Sequence, residues 1–330
     1  MDRAIDSGNL PQLDGWIPIR LARNPEPVVD WCYLGTRRLA EPFFEQTVNK
    51  CLREPFNLLF QHQTPLDTLT QWHRIRPGLP PTGFIFHLSR CGSTLLAQML
   101  AALPRNIVVS EAPPIDHLLR GKFEGANDDE KMAWLRGLLS ALAQCRNGDE
   151  KQFFVKFDSW HVINLPLIRR AFPDVPWIFL YRDPIEVLAS QLKQPAPHLV
   201  PNFGGFESGV VPASGTQISP DEYCVRTLSH ICASALEQLR SSGLPVNYSE
   251  LPSAAWTSVR EYFQLDWTAE DLELMRHVTQ FDAKNPSLFF TANSAGANEV
   301  SPLLRELSAR WLDPVYAKLE DLRQKRGPSN

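Results

Sequence analysis

The sequence of 330 residues lacks a dense basic tract. Lys and Arg number 33 against 37 Asp and Glu, which leaves a formal net charge of −4. A nucleic-acid partner requires a concentrated Lys and Arg face that opposes many phosphates at once. The charge balance therefore argues against nucleic-acid binding.

Paired cysteines and long apolar runs are also missing. The six cysteines, at positions 32, 51, 91, 145, 224 and 232, form no C-x-x-C pair and no His-linked metal spacing. Such scatter over a long chain indicates reduced thiols in a cytosol and implies no metal site. No apolar run approaches the ~20 residues of a membrane span, and residues 1–7 lack the features of a signal peptide. We therefore expect a cytoplasmic protein with no membrane span.

An apolar fraction of 43% is enough to bury a full core in a chain of this length. One large domain, residues 81–330, preceded by an extension, residues 1–80, fits the pattern better than two equal domains. Residues 39–52 and 64–72 carry helical patterns, whereas residues 16–21 favour a short strand. Because the extension is rich in aromatic residues, we expect a folded, mainly helical cap that contributes to a ligand pocket or a dimer contact.

A strand, a turn and a helix start follow one another in residues 83–96. Residues 83–88 are an apolar run, residues 89–92 turn the chain, and Ser93 begins an apolar segment with helical period. Such a helix start presents unpaired backbone N–H groups and the positive end of the helix dipole, which favour an anion. Gly92 allows close approach of the backbone, and Ser93 and Thr94 add hydroxyl donors. Arg90 adds a planar cation, so the sequence predicts a phosphate or sulfate cradle.

This cradle differs from the loop of nucleotide triphosphatases. Their loop requires Gly-x-x-x-x-Gly-Lys-Ser/Thr, in which Lys follows the last glycine and the hydroxyl holds magnesium. Here Ser93 follows Gly92 directly, and Arg90 precedes the glycine by two positions. A magnesium-binding carboxylate is not evident either. These differences count against a small-molecule kinase.

The cradle resembles the first signature of the sulfotransferases, which use 3′-phosphoadenosine 5′-phosphosulfate (PAPS) as donor. Family members carry a strand, then Lys or Arg, then Ser-Gly-Thr/Ser-Thr and a helix. This chain has Arg90-Cys91-Gly92-Ser93-Thr94-Leu95, with Cys91 in place of the usual serine. Arg in place of Lys is similar to the tyrosylprotein, carbohydrate and bacterial branches rather than to the cytosolic phenol and steroid enzymes. The resemblance implies that these six residues hold the donor's 5′-phosphosulfate, and with the expected localisation it suggests a bacterial enzyme.

A second block has the form of the family's other signature. Residues 176–181 are an apolar run of strand length, and Arg182-Asp183-Pro184 follows it and begins a helix that contains Ser190. In the family, an arginine and a serine at these places hold the 3′-phosphate of the donor. A dianion of this kind requires one charged fork and one hydroxyl. The resemblance therefore assigns Arg182 and Ser190 to the 3′-phosphate.

Two further donor contacts are implied by the resemblance alone. Lys156 lies near the end of the apolar strand pattern in residues 152–158, where the family has a lysine that contacts the bridging oxygen and the transferred group. A cation placed there stabilises the charge that grows on the leaving phosphate. Tyr248 ends the last strand pattern, residues 244–248, where many members have a tyrosine that lines the nucleotide site. Lys284, near a glycine-containing loop at residues 291–298, is a looser candidate for closing over the 3′-phosphate.

The acceptor must lose a proton, so a base is expected beside the cradle. Residues 107–109 predict a short strand, and Glu111 follows it at the carboxyl end, where open α/β sheets keep their sites. Glu111 also falls where tyrosylprotein sulfotransferases carry their catalytic glutamate, so we assign it as general base. His117 is the alternative base. His87 lies within the strand run and is interpreted as a hydrogen-bonded core residue.

The order of patterns along the chain predicts an α/β fold. We expect a three-layer P-loop nucleotide-binding fold with a central parallel sheet flanked by helices. Residues 194–219 are polar and rich in proline and glycine, which indicates a lid that excludes water from the donor.

The leading prediction is a sulfotransferase that moves a sulfuryl group in line from PAPS to an acceptor hydroxyl or amine. It implies catalytic roles for Glu111, Lys156 and Arg90, adenosine 3′,5′-bisphosphate (PAP) as product, and no metal requirement. The acceptor is a small molecule, a sugar, a lipid or a peptide. The alternatives are a small-molecule kinase on a related fold and a non-catalytic nucleotide-binding module.

Overall fold

The computed structural model describes residues 12–326 apart from 24–25, 122, 124, 202–217 and 290–299. The extension contains a small antiparallel sheet in the order β1-β2-β3. Its strands are β1 (Trp16–Arg23), β2 (Pro27–Tyr33) and β3 (His62–Pro65). Its helices are α1 (Phe44–Cys51), α2 (Pro55–Leu59) and α3 (Thr68–Ile75).

The expectation of a mainly helical extension is therefore wrong, because strands and helices share it. On β2 the side chains of Val29 and Trp31 are buried while those of Val28 and Asp30 are less so. This period of two, carried by β-branched and aromatic residues, is typical of a half-buried strand. Residues 62–65, which the helical pattern partly included, instead pair with β2 at its edge.

The main sheet consists of five parallel strands in the order β5-β6-β4-β7-β8. They are β4 (Gly83–His87), β5 (Asn106–Ser110), β6 (Gln152–Lys156), β7 (Trp177–Tyr181) and β8 (Leu244–Asn247). After β4 the chain passes to β5 and β6 on one side of β4, and then crosses to β7 and β8 on the other. The carboxyl end of β4 therefore lies where the strand order changes direction, and ligands of open α/β sheets bind at this place.

Both faces of the main sheet are covered by helices. Alternate strand residues such as Phe84 and Ile85 enter two separate apolar clusters, as the period of two in a strand requires. One face is covered by α4 (Ser93–Ala101), α10 (Arg260–Tyr262) and α11 (Ala269–Val278). The other is covered by α5 (Pro113–Arg120), α6 (Asp128–Leu142), α7 (Leu165–Ala171), α8 (Pro184–Lys193), α9 (Pro220–Leu239), α12 (Pro302–Trp311) and α13 (Asp313–Arg326). The α/β architecture with a central parallel sheet is thus confirmed.

The C-terminal helical segment is divided into two helices, α12 and α13, near residue 312. Pro314 has no backbone N–H, and its ring would clash with the carbonyl four residues earlier in a continuous helix. Along the described parts of the chain no helix is long and apolar enough to cross a membrane.

The extension packs directly on the main domain. Helix α3 lies against α6, and β1 lies against α5. The contact between α3 and α6 depends on Gly137, because a Cβ atom there would lie 2.6 Å from both the backbone carbonyl carbon and oxygen of Leu69. The small residue therefore sets how closely the two helices approach.

We predict that Gly137→Ala lowers the melting temperature. Alanine favours a helix over glycine by about 1 kcal/mol, but overpacking against a rigid backbone costs about 1–3 kcal/mol. Thermal unfolding monitored by circular dichroism measures the melting temperature of both proteins. A melting temperature at or above that of the wild type would mean that α3 moves away from α6 without cost.

Candidate active site

The cradle is a tight turn between β4 and α4. Gly92 is the residue before α4 and has φ +79°. A Cβ atom at this position would also lie 2.7 Å from a ring carbon of Tyr248, so both conformation and space require glycine. Ser89 and Arg90 have φ +38° and +56°, a region that non-glycine residues rarely adopt. Strain of this kind concentrates at functional sites.

Cys91 anchors the cradle to the neighbouring strand. Its thiol is fully buried and donates to the carbonyl oxygen of Leu180 on β7 at 3.2 Å. Burial raises the pKa of the Cys91 thiol to about 11, so it stays protonated. The side chain therefore holds the loop, and a direct donor contact of Cys91 stays a prediction for its backbone N–H.

Ser93, Thr94 and Leu95 form the first turn of α4. Ser93 and Thr94 are buried, and Leu95 packs on the apolar cluster beneath the helix. Lys156 donates from Nζ to the hydroxyl of Thr94 at 3.4 Å. The first turn of α4 is therefore in contact with the lysine at the end of β6, the strand beside β4 in the sheet.

Arg90 extends from the cradle toward the segment after α8. Its Nη2 donates to the backbone oxygen of Gln194 at 2.7 Å and to the side-chain oxygen of Gln194 at 3.0 Å. Its Nε is buried and has no hydrogen-bond partner within the part of the chain that the structure describes. A buried donor without a partner on a half-buried cation indicates a place for an anion. The remainder of the expected lid, residues 202–217, lies outside the described residues.

Sheet register brings Glu111 and Lys156 together. Ser110 on β5 pairs with Lys156 on β6, and the N–H of Glu111 donates to the Lys156 carbonyl at 2.8 Å. Lys156 Nζ then donates to Oε1 of Glu111. The lysine side chain is 0% exposed and that of Glu111 is 24% exposed. Glu111 is a third strained residue, with φ +52°.

Neighbouring groups stabilise the negative charge of the Glu111 carboxylate although the side chain is largely buried. Burial alone would raise the pKa of Glu111, but the ammonium of Lys156 and the ring of His87 hold that pKa well below its usual range. The carboxylate is therefore ionised while it is paired with Lys156.

His87 is a contact of Glu111 that sequence reasoning assigned to the core. The ring is buried, as expected, and its Nδ1 accepts a hydrogen bond from the N–H of Ser89 at 3.2 Å. The proton of the neutral ring is then on Nε2, which lies 3.3 Å from Oε1 of Glu111. Burial lowers the pKa of His87, which keeps the ring neutral. The sequence signal for this contact was a polar residue at the end of an apolar strand, directly before the cradle.

Phe43 is a contact that no local pattern could indicate. Its ring lies with its centroid 5.1 Å from Nζ of Lys156, in a cation–π arrangement. Phe43 comes directly before α1, so the extension reaches the buried lysine of the main domain. A contribution of the cap to a ligand pocket stays a prediction, and Phe43 is the residue through which the extension contacts Lys156.

Arg182, Ser190 and Tyr248 lie on the β7–β8 side of the cradle. The guanidinium of Arg182 is 4.2 Å from the ring centroid of Tyr248, and its Nε donates to Glu186 at 2.6 Å. Tyr248 also contacts the cradle at Gly92, so one ring joins both sequence signatures. Ser190 lies on α8, and within the described part of the chain its hydroxyl forms no hydrogen bond.

His117, the alternative base, faces the extension. It lies on α5, and its Nδ1 accepts from the N–H of Leu21 on β1 at 3.3 Å. Burial lowers its pKa. This position favours Glu111 over His117, since Glu111 contacts the lysine that also touches the cradle.

Asp116, Asp158 and His161 place one possible metal-ligand atom each within 4.8 Å of one another. Hydrogen bonds already explain their arrangement. The N–H of Asp158 donates to Nδ1 of His161 at 3.2 Å, so Nε2 donates to Asp116 at 2.9 Å. Asp116 also accepts from Trp160 and from Arg120. Burial, with the negative charges of Glu111 and Asp116, raises the pKa of Asp158 well above its ordinary value, which favours a neutral carboxyl.

Lys284 lies in the segment after α11, and its contact with the 3′-phosphate stays a prediction. Burial lowers its pKa, and the positive charges of Arg90 and Lys156 lower it further. Those two residues belong to the sulfuryl side of the predicted donor site, whereas Arg182 belongs to the 3′-phosphate side. The glycine-containing loop at residues 291–298 lies outside the described residues.

The site combines an anion cradle, two further cations and a carboxylate. Comparison with known proteins shows the family to which the chain belongs. A profile of the sulfotransferase family matches residues 81–269, which is more than half of the chain. The chain therefore belongs to the sulfotransferase family, whose enzymes transfer a sulfuryl group from PAPS. The family predicted from the two signatures is confirmed, and a kinase is no longer supported. A search of curated proteins finds no significant match.

Three solved structures of bacterial sulfotransferases are similar to the chain, each at 14% identity. The enzyme from Mycobacterium avium has a TM-score of 0.47, with 78% of this chain and 80% of that one covered. The enzyme from Mycobacterium tuberculosis has a TM-score of 0.45, with 74% and 82% covered. The enzyme from Alicyclobacillus acidocaldarius has a TM-score of 0.41, with 74% and 96% covered.

We predict that His87→Leu raises the pKa of Glu111 by about one pH unit, because the carboxylate loses the N–H that faces it. His87→Gln, which keeps an amide N–H of similar reach, should restore most of the difference. Titration of the Glu111 carboxyl by carbon-13 NMR measures both variants. An identical titration in His87→Leu and in the wild type would contradict a stabilising contact.

Proposed function

We propose that the protein transfers a sulfuryl group from PAPS to the hydroxyl or amine of an acceptor, with Glu111 as general base. One observation carries the proposal: Lys156 contacts Thr94 of the cradle and Glu111 at the same time. A single buried cation therefore lies between the place for the donor's leaving phosphate and the place for the acceptor's proton.

The residues present fit the donor. The cradle offers the backbone N–H groups at the start of α4 and the unfilled Nε of Arg90, which suit the 5′-phosphosulfate. Arg182, held against Tyr248, and the available hydroxyl of Ser190 suit the 3′-phosphate. The aromatic ring of Tyr248 joins these two regions and is in position to contact the nucleotide. When bound, PAPS supplies the sulfuryl group, and PAP leaves.

Each catalytic residue then has a separate task. The acceptor oxygen forms the new S–O bond as the bond from sulfur to the bridging phosphate oxygen breaks. Glu111 takes the proton of the acceptor hydroxyl. Lys156 and Arg90 stabilise the negative charge that develops on the leaving phosphate, in a region shielded from water by the buried strand ends.

The ion pair with Lys156 would make Glu111 basic only when the donor is bound. While Lys156 is bonded to Glu111, the low pKa of the carboxylate makes it a weak base. A Lys156 ammonium that turns toward the donor's phosphate withdraws stabilisation from the carboxylate, and the pKa of Glu111 rises. Basicity would then increase when the leaving group is in place.

We predict that Glu111→Gln lowers the rate of transfer about 100-fold to 10,000-fold, the usual contribution of a general base. PAP affinity should stay within about threefold, because Glu111 contributes no group to the donor site. Transfer of labelled sulfur from PAPS to a hydroxyl acceptor measures the rate, and calorimetry measures the affinity.

Glu237→Gln is the matched control for this change, because Glu237 is exposed on α9 and forms no interaction with the site. The melting temperature of each variant separates lost catalysis from lost folding. Full activity of a folded Glu111→Gln protein would exclude Glu111 as the base and make His117 the first residue to test.

We predict that Arg182→Gln weakens PAP binding about 10-fold to 100-fold and leaves the affinity for adenosine 5′-phosphate unchanged. The second nucleotide lacks the 3′-phosphate, so it cannot report the loss of a charged hydrogen bond to that group. Arg240→Gln, an exposed arginine after α9, is the control. An equal loss for both nucleotides would mean that Arg182 does not select the 3′-phosphate.

A further inference from the structure

A polar cleft separates the extension from the residues that follow α11. It has a volume of about 550 Å³, within the range of small-molecule sites. One wall comes from residues 40–53, which include α1, and the other from residues 284–287. All of its lining residues except one alanine and two prolines are polar or charged, including Gln46, Asn49, Arg53 and Lys284.

The cleft adjoins the place of transfer. Pro42 lines it, and the next residue, Phe43, lies over Nζ of Lys156. On the opposite wall, Lys284 interacts electrostatically with Lys156, Arg90 and Glu111. The wall that contains Pro42 therefore reaches Lys156 of the ion pair through Phe43, and Lys284 on the opposite wall lies within electrostatic range of the same pair.

The sheet order separates this cleft from the nucleotide side. Glu111 follows β5 and Lys156 ends β6, on one side of β4, whereas Arg182 and Tyr248 follow β7 and β8, on the other. A donor that extends from the cradle toward Arg182 leaves the β5–β6 side open. An acceptor must approach the sulfuryl group from the face opposite the leaving phosphate.

The cleft carries positive charge that its own walls do not neutralise. Lys50 is paired with Glu41 at 2.6 Å, so their charges cancel. Arg53 and Lys284, from opposite walls, form no ion pair with any residue that the structure describes. Large apolar side chains, which a phenolic or steroid acceptor would require, are missing from the lining.

We propose that this cleft binds the acceptor and selects a polar molecule that carries an anionic group, such as a carboxylate, near the hydroxyl to be sulfated. The inference rests on the proposed sulfuryl transfer and adds the chemical class of its acceptor. Arg53 and Lys284 bind the anionic group, and the amides of Gln46 and Asn49 bind neighbouring hydroxyls. These four residues thus determine specificity without taking part in the transfer.

Two matched probes test the proposal: para-nitrophenyl β-glucuronide and para-nitrophenyl β-glucoside, which differ by a carboxylate. Their binding to the full chain saturated with PAP is measured by saturation-transfer NMR. We expect the glucuronide to bind at least about tenfold more tightly than the glucoside, and Arg53→Gln and Lys284→Gln each to weaken it about tenfold. Lys318→Gln is the control, because Lys318 is exposed on α13 and does not line the cleft, and it should leave binding unchanged.

The outcomes distinguish this inference from the proposed function. Equal binding of the two glycosides, or no binding of the glucuronide to protein that still binds PAP, would overturn the cleft proposal alone. Failure of the wild-type protein to bind PAP would contradict the donor site on which both proposals depend. PAP affinity in Lys284→Gln decides the place of Lys284: it should stay unchanged, and a tenfold loss would return this lysine to the 3′-phosphate.

Discussion

The candidate site is organised around the ion pair of Lys156 and Glu111. Removing two charges from water is unfavourable, and their mutual attraction rarely compensates fully, so a buried pair of this kind is weak evidence for a purely stabilising role. The surroundings support both charges nevertheless. Thr94 accepts a hydrogen bond from the lysine, Phe43 presents its ring to the lysine, and Nε2 of His87 lies 3.3 Å from the carboxylate. Contacts that support both charges of a buried ion pair are expected where one partner must change its contacts during a reaction.

Parallel strand register makes this pair possible. Lys156 ends β6 and Ser110 ends β5 at the same level, so the next residue, Glu111, emerges beside the lysine. Ile85 of β4 also pairs with Lys156, which places the cradle after β4 within reach. Three chain segments that are distant in sequence therefore deliver their functional groups to one edge of the sheet. The strained backbone at Arg90 and Glu111 is the local consequence of turning side chains toward that edge.

The predictable parts of the site are those encoded within a few residues. The turn before α4, the arginine after β7 and the acid after β5 each follow a buried strand directly, so the strand pattern together with the resemblance to the sulfotransferase signatures located them. Phe43 and His87 were missed for a different reason. Phe43 depends on how the extension folds over the sheet, and His87 on which strand end lies beside it. In the extension, the pattern at residues 16–21 predicted the strand that became β1, whereas β2 and β3 were missed because short strands between helical patterns give a weak local signal.

The two proposals place donor chemistry and acceptor choice in different parts of the chain. Arg90, Arg182 and Lys156 all belong to the main sheet domain, within the stretch that matches the sulfotransferase family. The proposed acceptor cleft instead combines the extension with residues that follow α11, both outside that stretch. Substitutions in the cleft can therefore alter acceptor charge and shape while the sheet register, and with it the ion pair, remains fixed. This division is how one fold supports many specificities through residues added at its edges.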